Sequence, residues 1–427
     1  MSGVVHGDRG GAPVHLECAA MAVEPAQEAV EDLPDEDGAA AQPASVLARP
    51  RGGRLAPRLE RLRYPFLVYL SSRVVYLVLA VVVGALQHWS LKHELSNWDG
   101  QWYRRVAGLG YPDHVLHIQS TLGFFPLYPM LMWLVQHTFI CSLFVAGVLV
   151  SGVGGFVGTV LVQRLSAGWW GEEASRRAVL FFCFFPGSIV FSMVYSEGIL
   201  IPLVAGCLLA LERRRWLVAG ILAAFATAVG PTAIAIIPAC AVAALIELRR
   251  RGWLNPRALK ALIAPVLAPL GIVAFGVFLW RWTGDPFASY YAQHHEWSEK
   301  ANPLALVTLV IRLVTESHFT GLFLHINLNF ISGLLGAAFL FIAVFLLFRT
   351  RPRISPAALV WTLGVGFLAV TSENVPPNPR MLITAFPAVL VVAYRLKGKA
   401  FYRLMAASVV LLLVMSSITY VGTALRP

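Results

Sequence analysis

The sequence is short of charge. Only 13% of its 427 residues are Asp, Glu, Lys or Arg, against 57% hydrophobic, and that balance excludes an ordinary water-soluble globular chain. Cysteine is scarce as well. Cys18, Cys141, Cys183, Cys207 and Cys240 form no CxxC pair and have no histidine at ligand spacing, so neither a zinc site nor a disulfide framework is indicated and buried packing is the expected role. Acids are outnumbered by bases, 23 against 34, for a formal charge of +11. The basic residues sit in short clusters between apolar runs with no nucleic-acid motif, so they report membrane orientation, not a nucleic-acid partner.

What is present is apolar sequence, with a mean hydropathy of +0.68. Runs long enough to span lie at roughly 64–88, 140–163, 178–194, 197–212, 216–230, 231–248, 260–280, 322–348, 355–371, 381–395 and 403–424, which predicts an all-α polytopic membrane protein of about 11 helices. Several runs fall short of the ~20 residues of a perpendicular span, so helix ends near Tyr195 and Gly230 are expected inside the lipid boundary, buried in protein or lining a cavity. Residues 1–62 differ in kind. An acidic, Ala/Pro-rich stretch passes into a basic one with nothing to form a core, which reads as a disordered cytoplasmic tail without the h-region of a cleaved signal, ahead of a transmembrane domain over 63–427.

Basic clusters at the N-terminus, Arg176 and Arg177, "RRR" at 213–215, "RRRGWLNPRALK", "RTRPR" at 349–353 and "RLKGKAFYR" fall on alternate connections. Those connections and the N-terminus are therefore expected in the cytoplasm. The other side receives the segment 89–139, the turn "YSEG", the loop "RWTGDPFASYYAQHHEWSEK" and "SENVPPNPRM", which collect most of the acids, aromatics and histidines. Chemistry is expected to face outward.

Within 89–139, "NWDGQWYRRVAGLGYP" has two readings. Trp98, Trp102 and Tyr103 can anchor a connector at the interface, and Asp99 before Gly100 can cap an interfacial helix. The segment runs on through the amphipathic "HIQSTLGFFPLYPMLMWLVQH", however, and a plain connector would be shorter. Arg73 is also out of place, roughly 15 Å into the first run, where an unpaired charge is costly, so it must face the bundle interior or water. His294, His295 and Glu296 are no convincing metal cluster, since adjacent helical side chains diverge by about 100°.

The ordered stretches "WDGQWYRRVAGLGYP", "GFFPLYP", "FFPGSIVFSMVYSEG", "TGDPFASYYAQHHEW" and "NPRMLITAFPAVL" resemble the motifs of PIG-V type mannosyltransferases, from about Arg63 to the C-terminus. The resemblance implies a membrane-embedded C-type glycosyltransferase in the plasma membrane that takes mannose from polyprenyl phosphate mannose and transfers it to a hydroxyl of a glycan or glycolipid acceptor on the outer face. No cofactor and no metal site is expected from the residues, with metal dependence left open, and membrane lipids are the expected surroundings. Asp99 matches the acid of the first outward loop and is expected to act as general base in an inverting displacement. Glu197 and Asp285 keep a double displacement open. Arg380 is the expected partner of the leaving phosphate, with Arg104, Arg105 and Arg73 as further possibilities. Trp98, Trp102, Tyr103, Phe125, Tyr128 and Tyr195 complete the expected substrate contacts. Two departures stand out: Met381 follows Arg380 where the family often has Tyr, and Gly230 stands before Pro231 where the family commonly has Arg. Other sugars (arabinose, glucose) on the same architecture, a lipid or sugar transporter, and a catalytically inactive scaffold are the alternatives.

Overall fold

The computed structural model describes residues 56–116, 118–320, 323–421 and 425–426. The first helix, α1 (Ala56–Gln87), starts seven residues before Arg63, so the end of the expected tail is helical, and residues 1–55 lie outside the described residues. After α1 the chain makes a subdomain of short helices: α2 (Leu91–Leu95), α3 (Asp99–Leu109), a 3-10 turn at Thr121–Gly123 and α4 (Leu127–Phe139). Serine starts two of these elements. Ser90 caps α2 by accepting from the His93 N–H, and Ser120 caps the 3-10 turn by accepting from the Leu122 N–H.

Two long elements follow, α5 (Leu143–Trp170) and α6 (Glu172–Phe184), separated only by Gly171 at φ 83°. Pro186 cannot continue α6, and residues Pro186–Phe191 form a 3-10 stretch before α7 (Glu197–Glu212). The expected single span at 178–194 is thus broken. Next come α8 (Trp216–Thr227), a 3-10 turn at Pro231–Ala235 and α9 (Ile236–Arg251). An apolar stretch of three stacked segments, α10 (Pro256–Leu259), α11 (Ile263–Leu267) and α12 (Leu270–Thr283), precedes α13 (Ala288–Tyr291) and a π-helical turn at Ala292–Glu296. An amphipathic helix, α14 (Ala305–Glu316), leads to a small antiparallel hairpin of β1 (His318–Thr320) and β2 (Phe323–His325), and β2 takes the start of the expected span at 322–348. The span itself, α15 (Leu328–Arg349), begins only after them. The chain closes with α16 (Pro356–Thr371), α17 (Pro379–Thr384), α18 (Phe386–Arg395) and α19 (Gly398–Tyr420).

Among the described residues six helices are long and apolar enough to cross a membrane, with shorter apolar helices at Trp216–Thr227, Pro356–Thr371 and Phe386–Arg395. This is a multi-pass membrane protein, and the figure of eleven spans is not reached by that criterion. The short elements explain the gap: α7, with 16 residues, rises roughly 24 Å, less than the ~30 Å of a hydrocarbon core. Its open end is buried in protein, the arrangement that non-helical backbone at membrane depth requires.

The bundle is assembled by close backbone approach. A Cβ on Gly198 of α7 would lie 2.5 Å from the Cα of Ser151 on α5, so the two helices touch without intervening side chains. Arg73 ties α1 to the 3-10 stretch. Its guanidinium donates to the Ser188 carbonyl at 2.6 Å, Ser188 Oγ at 2.9 Å, Ser192 Oγ at 3.0 Å and the Cys183 carbonyl at 3.2 Å, and it stacks near Tyr76 and Tyr69. Its interior position is met by carbonyls, hydroxyls and rings, with no carboxylate among these partners. The same 3-10 stretch touches α17: a Cβ on Gly187 would fall 1.9 Å from the Pro379 carbonyl oxygen and 3.2 Å from the Arg380 nitrogen.

Gly187→Ala is therefore expected to force α17 away. Overpacking of this kind costs about 1–3 kcal/mol, and the melting temperature in detergent should fall measurably. An unchanged melting temperature would refute the close contact.

Candidate active site

Asp99, Glu197 and Arg380 converge where three helices begin. Asp99 and Glu197 are the first residues of α3 and α7, and Arg380 is the second of α17. Trp98, just before Asp99, has φ 55°, a conformation that costs a non-glycine residue on the order of 1–3 kcal/mol. Its N–H donates to Asn97 Oδ1 at 2.9 Å, and its ring lies 5.9 Å from the Arg426 guanidinium.

Two hydrogen bonds, one each from α3 and α2, lock the subdomain of short helices onto the turn that carries Glu197. The Tyr103 hydroxyl donates to Ser196 Oγ at 2.7 Å, and the Val194 N–H donates to the Leu95 carbonyl at 2.8 Å. Beneath them, Ser151 Oγ donates to the Tyr195 carbonyl at 2.9 Å, accepts from the Tyr195 N–H at 3.2 Å and meets the Tyr128 hydroxyl at 2.7 Å. The turn after Val194 is thus held by side chains from α3, α4 and α5. The Tyr195 hydroxyl reaches up to accept from the Asp99 N–H at 3.4 Å.

Arg380 sits at the centre. Its Nη1 donates to Asp99 Oδ2, its Nε stands 3.5 Å from Glu197 Oε1, and its plane lies 5.4 Å from the Tyr195 ring centroid. Burial by itself disfavours its charge, but Asp99 and Glu197 more than offset that and hold the guanidinium's pKa above its ordinary value. Access differs within the triad: Asp99 keeps 31% of its side chain exposed and Arg380 only 15%. The more accessible carboxylate is the one an incoming molecule meets first.

The remaining expected contacts divide. Trp102 belongs to an aromatic wall, with its ring 4.9 Å from that of Trp297 and 6.0 Å from that of Phe124. Tyr103, Tyr128 and Tyr195 are buried and serve as the supports just described. Phe125 packs on Phe275 at 4.9 Å, in a separate apolar cluster. Asp285 accepts from the Phe287 N–H at 2.8 Å and makes no contact with the triad among the described residues. Arg104 bonds Ser96 Oγ at 3.1 Å, and burial lowers its pKa. Arg105 stacks on Trp102 at 4.5 Å. Gly230 has open space where a side chain would begin.

Two acids went unnoticed in the sequence. Glu299 accepts from Ser372 Oγ at 2.5 Å, and burial raises its pKa while Arg426 and Arg380 act against the rise. Glu94 is fully buried, neither carboxylate oxygen has a hydrogen-bond partner among the described residues, and burial pushes its pKa up to about 7. "LKHEL" and "WSEK" look like ordinary polar connectors, and no local signal separates these acids from solvated ones.

The family described as Mannosyltransferase (PIG-V) matches residues 69–281. No curated protein matches the chain. Among solved structures, ArnT from Cupriavidus metallidurans bound to undecaprenyl phosphate is 15% identical with a TM-score of 0.49, over 83% of this chain and 65% of that one. The apo oligosaccharyltransferase of Archaeoglobus fulgidus is 14% identical with a TM-score of 0.39, over 84% of this chain and 56% of that one. The present chain therefore spans less than two thirds of the length of either.

Glu94 makes stability pH-dependent. Its folded pKa of about 7 lies above the ordinary 4.5, so the folded state favours the protonated acid, and stability is lost as pH rises through about 7. Glu94→Gln is expected to melt higher than the wild type at pH 8 and at the same temperature at pH 5. Equal melting at both pH values would contradict a buried, unpaired carboxyl.

Proposed function

By its residues 69–281 this chain belongs to the mannosyltransferase (PIG-V) family of membrane glycosyltransferases, and from that premise we propose that it transfers mannose from polyprenyl phosphate mannose to a hydroxyl of a glycan or glycolipid. The observation that carries the reading is the contact between Asp99 and Arg380. One carboxylate able to take a proton and one guanidinium able to take a phosphate are held side by side on separate helices.

The reaction follows from those two groups. An acceptor hydroxyl gives its proton to Asp99 as its oxygen bonds to the anomeric carbon. The bond from that carbon to the phosphate oxygen breaks, the electron pair leaves with the polyprenyl phosphate, and the carbon is inverted. Arg380 faces the negative charge that grows on the departing phosphate, where a planar donor pair matches two oxygens. Since Arg380 also contacts Asp99, the donor phosphate competes with the carboxylate for the same guanidinium. Donor binding thereby loosens the pair and frees Asp99 to accept the proton.

Glu197 supports this in a positioning role. Buried beside Arg380, it keeps the guanidinium in place when Asp99 lets go. The single accessible acid in the triad favours single displacement over a glycosyl-enzyme route. Asp285, the other carboxylate considered as a nucleophile, is occupied as a turn cap away from the triad. In this reading the site faces the outer side of the plasma membrane, the N-terminus is cytoplasmic and the isoprenoid tail remains in lipid, as the alternation of the basic clusters supports.

Asp99→Asn removes the proton acceptor at nearly constant size. Transfer from synthetic polyprenyl phosphate mannose to extracted envelope glycolipids should drop by about 10²–10⁴-fold, with an unchanged melting temperature. A folded variant that retains the wild-type rate would overturn the assignment. Arg380→Lys keeps the charge and loses the fork, and kcat is expected to fall by about 10²–10³-fold. Glucose- and arabinose-charged donors in the same assay decide the sugar.

A further inference from the structure

A cavity lies away from the triad. A groove of about 1070 Å³ runs along the side of the bundle between α4, α5, α7 and α8, and it is lined by aliphatic and aromatic residues such as Leu131, Val153, Val157, Leu203 and Leu222. Among the described residues its only charged lining side chains are Arg164, Arg213 and Arg215. On α5 the apolar wall extends from Leu149 to Leu161, a rise of roughly 18 Å. That is close to the depth of one leaflet, about half of the ~30 Å hydrocarbon core.

The arginines gather at one end. Arg213 directly follows α7, whose other end carries Glu197, so roughly 24 Å of helix separates them from the triad. Their neighbour Arg214 is paired with Glu247 at 3.3 Å. Arg213 feels the charge of Glu212, whose carboxylate also accepts from the Trp169 indole at 2.7 Å. Among the described residues Arg164 and Arg215 have no acidic partner.

An apolar slot of one-leaflet length, ending in three guanidinium groups of which Arg164 and Arg215 have no acidic partner among the described residues, has the charge and shape complement of an anionic phospholipid. We propose that this groove binds one such lipid, with an acyl chain between α5 and α7 and the phosphate on Arg164, Arg213 and Arg215. The donor is a poorer occupant, because a phosphate held by Arg380 leaves these arginines uncovered. The inference concerns a site separate from the triad and stands independently of the transfer reaction.

The test is native mass spectrometry of the full chain released from micelles containing equal amounts of phosphatidylglycerol and phosphatidylcholine with identical chains. The wild type should retain one phosphatidylglycerol several-fold in preference to phosphatidylcholine, and glycerol phosphate at millimolar concentration should not displace it. Arg164→Gln/Arg213→Gln/Arg215→Gln should lose the preference, Val157→Trp should lose the adduct by filling the slot, and Arg249→Gln/Arg250→Gln, on the basic end of α9, should behave as the wild type. A wild type without headgroup preference refutes the site without recourse to any variant. So do an equal loss in the α9 control, displacement by glycerol phosphate, and polyprenyl phosphate replacing phosphatidylglycerol in the slot.

Discussion

The structure around the site depends on one buried guanidinium shared by two carboxylates. Arg380 cannot sit among Tyr195, Gly187 and the start of α17 as a lone charge, because the loss of hydration would be prohibitive. Asp99 and Glu197 supply the compensation, and they arrive from helices far apart in sequence. The pairing therefore fixes the relative placement of α3, α7 and α17. It also leaves the cluster one negative charge in excess when both acids are ionised, at a place where only Asp99 is substantially open.

Holding three helix starts together requires backbone contacts that side chains would obstruct. Gly187 lies against Pro379, and Gly198 lies against Ser151. Arg73 and Ser151 then occupy carbonyls and N–H groups that the interrupted helices leave free, and Tyr128 holds Ser151 in place. These polar residues look functional when read singly. In the fold Arg73 braces the broken segment at Pro186–Phe191, and Ser151, backed by Tyr128, braces the one before Glu197, which is the condition for irregular backbone within a membrane bundle.

Much of this was legible beforehand. The apolar runs locate most of the long helices, and the shortness of those near Tyr195 and Gly230 signals interrupted elements. The triad residues Asp99, Glu197 and Arg380 were all singled out by motif. Less visible were the break after Phe184, the amphipathic α14 and the two-part end at α17 and α18, because a run of apolar residues has the same hydropathy whether or not a proline stops its helix. Phe125, Asp285 and Glu299 show the same limit in three dimensions. An aromatic or an acid in a connection between helices carries no mark of which neighbour it will meet.

Composition and the spacing of basic clusters by themselves determined that the chain is a helical, multi-pass membrane protein with its acids and aromatics gathered in a few connections, because hydropathy and charge are local properties of a segment. Only the tertiary structure decided that Asp99 touches Arg380, that Arg73 has carbonyls and hydroxyls for partners, and that three arginines end an apolar groove. The physical reason is that electrostatic partnership falls off over a few ångströms, and those distances are set by how helices pack, not by where their residues stand in the chain.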